Sequence, residues 1–241
     1  MHKNLLRGTR VADWFEFVAS RDGSGVNVVT PDPDTLAHWF VSVNGERTDM
    51  PVDSLSFKEG DVVRITYSGF QGRFDGRDQD YFLEMRGTLP FNGYGDYQLA
   101  FNNCRSLRKV SENLLERCRI YQGYGFFMGC ESLEEIPKGF CGGGFRIQPA
   151  RNMFSGCTAL KKIHIDEFAG LQHLYDSPHS FFADCTSLQA ELRFRAVTTT
   201  SPPSHFARYL PHGAITLYMP PSLADMFRKG RGNENLIIIE E

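Results

Sequence analysis

The chain has 241 residues, 41% of them hydrophobic and 23% charged, with a net charge of −3 at pH 7. That is enough for one large domain or two ordinary ones around a real core, and it excludes a disordered chain. The charge balance lacks the basic excess of a nucleic-acid-binding protein, and six cysteines without a CxxC pair exclude a dense disulfide framework, a zinc ribbon and a thioredoxin motif.

Residues 1–8 carry positive charge but no apolar run, so no signal peptide is expected. No stretch reaches the roughly 20 apolar residues of a membrane helix, so no membrane insertion is expected. Asp13–Phe17 reads as a strand or a short helix. Val26–Val29, Trp39–Val43 and Val62–Tyr67 read as strands from their β-branched and aromatic content. Asn44-Gly45 and the segment 58–61 are turn signals. Residues 1–85 are therefore expected to form a small antiparallel, sandwich-like β domain. Asp75, Asp78, Asp80 and Glu84 form an acidic run; it lacks the spacing and central glycine of a calcium loop, so a solvated loop is expected.

A repeat begins after this domain and uses Phe in phase, in a chain with 20 phenylalanines against 2 Trp. Four segments align without gaps on the pattern F-x-x-C-x-[SA]-L-x-x-[IV]. They hold Phe101, Cys104 and Leu107; Phe127, Cys130 and Leu133; Phe154, Cys157 and Leu160; Phe182, Cys185 and Leu188. The cysteines recur after 26, 27 and 28 residues, a solenoid period. The last copy has Glu191 where an aliphatic belongs, and Leu192 is the candidate to replace it. The spacing of three predicts one side of a helical turn, followed by a short extended segment. Leu114, Phe140 and Phe168 offer each coil a second inward anchor. One coil cannot bury its own apolar side, so stacking must align Phe on Phe and Leu on Leu.

These motifs resemble the BspA-like leucine-rich repeats. The resemblance covers residues 98–192 and implies a leucine-rich-repeat solenoid over 86–212. Its unit is usually nearer 23 residues, so these coils carry longer loops. Ile215–Phe227 and Leu236–Ile239 read as a strand–helix–strand cap over 213–241, with Ser222 as N-cap, Leu223, Met226 and Phe227 as the apolar stripe and Gly230 as the stop. The expected fold class is α+β.

The candidate chemistry is sparse. The four repeat cysteines read as a column of buried free thiols. Cβ vectors that run parallel about 4.8 Å apart do not suit a disulfide. His164, His173 and His179 lie near Asp166 and Asp176 but match no metal spacing. Gly142–Gly144 lacks the Lys-Ser/Thr of a phosphate loop. Arg228, Lys229 and Arg231 suit a helix C-terminus. No catalytic residue, metal or cofactor is expected. Tyr94, Tyr97, Tyr121, Tyr124 and Tyr175, beside Phe91 and Phe126, fall between repeats, where Tyr and Gly resemble the composition of recognition surfaces. Tyr121, Tyr124, Phe126 and Tyr175 are the candidate binding residues; the alternative is that the longer loops fold over the solenoid and bury these rings.

The expected function is non-catalytic recognition. The resemblance implies adhesion at a cell surface, with a protein or glycan of a host or cell as partner. The alternative is a structural part of a larger assembly such as a phage virion, pairing with itself or with virion neighbours; the missing signal peptide favours it. Localisation follows the same division: cell surface by resemblance, virion or cytoplasm otherwise.

Overall fold

The computed structural model describes residues 13–29, 40–67, 73–89, 100–115, 124–140, 151–166, 168, 173–174, 179–195, 198–199 and 202–241. The chain is mostly β: an N-terminal antiparallel sheet leads into a β-solenoid of about four turns. Among the described residues there is one helix, Pro221–Lys229, and none long and apolar enough to cross a membrane.

Asp13–Ala19 is a strand, which settles the choice left open by its sequence. It lies between Val62–Tyr67 and Phe82–Gly87, antiparallel to both, and Phe40–Val43 and Glu46–Thr48 extend the sheet beyond Val62–Tyr67. Asn44 and Gly45 close the hairpin with φ of 52° and 84°, the left-handed pair that a tight two-residue turn requires. Period-two alternation sorts the faces. Phe15 and Phe17 point to one side, where Phe74 and Phe57 meet them edge-on at 5.6 and 5.2 Å. Both partners belong to two-stranded pairs, Val28–Val29 with Arg73–Phe74 and Gly23–Ser24 with Ser56–Phe57. Glu16 points the other way. It is buried beneath Arg64 and Arg86, at 2.8 and 3.2 Å, and these supply the counter-charges that a buried carboxylate needs.

The sheet and the solenoid share a strand. Phe82–Gly87 pairs with Asp13–Ala19 on one edge and, in parallel, with Lys109–Val110 on the other. The sequence boundary at residue 85 thus falls inside a strand that serves both parts, and one hydrophobic core runs through them.

Within the solenoid, Phe101, Phe127, Phe154 and Phe182 form one buried column. Their rings stack at 5.3, 5.6 and 5.5 Å with interplanar angles of 6°, 10° and 13°. Leu107, Leu133, Leu160 and Leu188 are fully buried, as are Leu114, Phe140 and Phe168. Leu192 is fully buried and Glu191 exposed, so the last full coil accommodates one extra residue and restores the inward aliphatic.

The expected helical turn does not form. The coils of Phe127, Phe154 and Phe182 instead turn through left-handed residues two before and two after the Phe; the Phe101 coil shows the second of these, and the following coil, at Ala207, continues both. The first row is Gly125, Asn152, Ser180 and His205, with φ of 53° to 56°. The second is Asn103, Gly129, Gly156 and Asp184, with φ of 58° to 78°. A right-handed helix cannot pass through such residues, and this makes the class mostly β rather than α+β. Between coils the backbone forms rungs. The N–H groups of Phe101, Phe127, Phe154 and Phe182 donate to the carbonyls of Phe126, Met153, Phe181 and Phe206 at 2.8 to 3.0 Å.

The same rungs extend one coil beyond the four repeats at each end. Gly76 donates to the Ala100 carbonyl at 2.8 Å, and Asp78 (φ 58°) takes the left-handed place. At the other end Ala207 stands where the Phe would be, and Tyr209 (φ 68°) takes that place. The cap is strand–helix–strand: Ile215–Met219, the helix, then Ile237–Glu240, with both strands parallel to Ala190–Arg193. The helix begins two residues earlier than an N-cap at Ser222 requires. Pro220 is its N-cap, without a side-chain hydrogen bond, and Pro221 opens the first turn with a φ already suited to it. Leu223, Ala224 and Phe227 bury the inner face, Met226 is half-buried, and Gly230 ends the helix.

Candidate recognition surface

The repeat cysteines account for themselves first. Each thiol is fully buried and free, and each donates to a carbonyl of the preceding coil. Cys130 reaches Phe101 at 3.0 Å, Cys157 reaches Phe127 at 3.2 Å, Cys185 reaches Phe154 at 3.0 Å and Cys104 reaches Gly76 at 3.0 Å. Desolvation pushes the thiols of Cys104, Cys130 and Cys157 far above their ordinary range, so they stay protonated and unreactive. Cys118 and Cys141 lie outside the described residues.

The acidic run also has local work. Asp75 pairs with Arg77 at 2.5 Å. Asp78 accepts from the Asn103 amide at 2.8 Å, Asp80 accepts the Ser106 N–H at 2.5 Å, and Glu84 pairs with Arg86 at 2.7 Å. Asp78 and Asp80 thus hold the segment before Phe82–Gly87 to the first coil; the four carboxylates do not converge on one point. His164 Nδ1 accepts the Asp166 N–H at 3.3 Å. His179 is half-buried, and its imidazole is held below its ordinary pKa by desolvation first and by Arg151 second. His173 lies in a two-residue strand paired with Thr198–Thr199, and Asp176 falls outside the described residues. Arg228 of the basic cluster pairs with Glu240 at 2.5 Å and Asp225 at 3.7 Å. Among the described residues no group of three His, Cys, Asp or Glu is placed to hold a metal ion.

Of the candidate binding residues, Tyr124 is half-buried at the start of a coil. Phe126 belongs to the core instead: it is fully buried, 4.8 Å from Phe127 and 5.5 Å from Phe101. It immediately precedes the column Phe, and that place is inward in every coil, where Ala100, Met153, Phe181 and Phe206 are buried too. Tyr121, Tyr175, Tyr94, Tyr97, Phe91 and Gly142–Gly144 lie outside the described residues.

The outer strand face is charged and alternates in sign from coil to coil. Glu84, Lys109, Glu135 and Lys162 follow one another along it, with Lys109 and Glu84 4.0 Å apart. Arg108 pairs with Glu134 in the adjoining row, and Arg105 with Glu131 at 3.2 Å. At the C-terminal end the character changes. Ile237 and Ile239 are 38% and 40% exposed, and Tyr209 is 61% exposed with the Arg208 guanidinium 4.3 Å over its ring. Sequence reading did not single these out. Tyr209 was hidden because Ala207 and Leu210 replace the Phe and Cys by which a further coil would be recognised. The isoleucines read only as a strand, without a face.

Compared with family models, with curated proteins and with solved structures, the chain finds no match.

Proposed function

We propose that the chain is a non-catalytic recognition protein whose solenoid is a rigid scaffold for binding a protein or glycan on a host or cell surface. The carrying observation is how the repeat residues are used. Phe, Cys and Leu of all four coils are buried, stacked and hydrogen-bonded to neighbouring coils. What remains for a partner is the segments between coils, which carry Tyr121, Tyr124 and Tyr175, and the outer strand face. Long connections on a rigid scaffold are where recognition residues concentrate. We read the repeat itself as a BspA-like leucine-rich repeat, on the strength of the four in-phase copies. The test replaces Tyr121, Tyr124 and Tyr175 with Ser, singly and together, and measures glycan-array or pull-down binding beside thermal stability. Binding that falls while stability holds supports the reading. Stability that falls first assigns these rings to the core and sinks it.

The second reading, a structural part of a larger assembly such as a phage virion, is favoured by the edge strand Ile237–Glu240, which pairs on its outer side with no strand among the described residues. It predicts association with copies of the chain or with fixed neighbours, and no separable partner.

A further inference from the structure

We propose that Ile237–Glu240 is a dimerisation edge, pairing antiparallel with the same strand of a second copy of this chain about a two-fold axis at Ile238. The inference goes beyond the recognition reading and does not depend on it.

Three observations carry it. The first is an open edge. The strand is the last of its parallel sheet, and the Glu241 N–H donates inward to Met219 at 3.1 Å. Alternation along a strand then turns the N–H groups of Ile238 and Glu240 outward, where no described strand lies. The second is the apolar character of the edge. Proteins guard exposed edges with charge or brevity. Another edge among the described residues, Glu46–Thr48, has both: it is three residues long and exposes Glu46 and Arg47. Ile237–Glu240 instead exposes two large apolar side chains, Ile237 and Ile239, in register with Thr216 and Tyr218 of the preceding strand.

The third observation selects the partner. A copy could extend the solenoid in parallel only by offering the opposite end of its own ladder. That end is Phe82–Gly87, and Asp13–Ala19 already covers it. Two copies must therefore meet end to like end, which is antiparallel and self-complementary. The charges fit this arrangement. About Ile238, each Ile237 faces the other copy's Ile239 and each Glu240 faces Leu236. Glu240 enters already paired with Arg228, and Glu241 with Arg193 at 3.0 Å. The two Glu240 residues lie about 14 Å apart along the strands, beyond the Debye length of roughly 8 Å.

The test is sedimentation equilibrium on the full chain across a range of concentrations, with Ile239→Lys, the milder Ile239→Thr, and Thr48→Lys on the other edge as control. Far-UV circular dichroism confirms that each variant is folded. The expected result is a dimer whose dissociation constant rises at least roughly tenfold in Ile239→Lys, rises less in Ile239→Thr and is unchanged in Thr48→Lys. A wild-type chain that stays monomeric at about 100 µM overturns the proposal. So does a dimer indifferent to both Ile239 variants, or a series of ever larger oligomers. None of these readouts involves a binding partner, so failure here leaves the recognition reading standing on its own test.

Discussion

The column residues are fully buried, and each has a countable role. A fully buried Phe or Leu contributes roughly 1.5–3 kcal/mol, and a well-placed ring pair adds about 0.5–1.5 kcal/mol. Leu160 sits mid-column with neighbours on both sides, so Leu160→Ala should cost about 2–5 kcal/mol in denaturant unfolding. The buried thiols predict that a thiol reagent leaves Cys104, Cys130, Cys157 and Cys185 untouched in the native protein and titrates them all in denaturant without reductant. A disulfide within this column would contradict the packing. His179 makes stability depend on pH. Its folded-state pKa lies below its unfolded value, so its contribution is whole above about pH 6.5. It is lost as pH falls through the folded value, because the unfolded chain takes up the proton first. Melts of wild type and His179→Asn should therefore diverge on acidification, with wild type losing more; parallel curves would place the pH dependence elsewhere. The Phe, Cys and Leu columns were legible in the sequence because identical residues recur in phase. The neighbouring column through Phe126, Met153 and Phe181 was not, because its members differ in type and only their apolar character repeats.

Coils, at the next scale, depend on backbone conformation more than on side chains. The residue before each Cys is left-handed, and it is Asn103, Gly129, Gly156 or Asp184, residue types that accept this conformation at low cost. At Gly156 a Cβ would meet nothing closer than 3.5 Å, so Gly156→Ala isolates the cost of the dihedral itself, about 1–2 kcal/mol of destabilisation. Tyr209 occupies the same place in the following coil with a bulky side chain, and Tyr209→Gly should shift stability the opposite way, by about 1 kcal/mol. Calorimetric or denaturant unfolding of the two variants checks both signs, and a shared sign would break the alignment of that coil with the four repeats. These turns also explain the misjudged class. Phe, Cys and Leu three apart describe one inward face whether the chain is a helix or a string of turns, so spacing alone could not separate them. The cap was legible because the prolines, the apolar stripe and Gly230 each carry a local signal. Its start was misplaced because Pro221 does by fixed φ what Ser222 was expected to do by hydrogen bonding.

At the scale of the whole molecule, the described N-terminal sheet and β-solenoid are joined through one strand and one hydrophobic core. Phe82–Gly87 belongs to the N-terminal sheet and to the solenoid, and Phe74 and Phe82 pass the ring contacts of the sheet core to Phe101 at 5.2 and 6.3 Å. Asp78 and Asp80 fasten the same junction from the polar side. The sequence showed a repeating part and a non-repeating part. It could not show their fusion, because the first coil has Gly76 and Gln79 where Phe and Cys would announce it. A rigid, continuous scaffold is what the recognition reading requires of the chain, and continuity has a direct thermodynamic signature. Differential scanning calorimetry of the full chain at neutral pH should give one transition, with calorimetric and van't Hoff enthalpies in agreement. Leu160→Ala in the solenoid and Phe17→Ala in the sheet should both lower that single transition. Two resolved transitions, one moved only by Leu160→Ala and the other only by Phe17→Ala, would contradict the account.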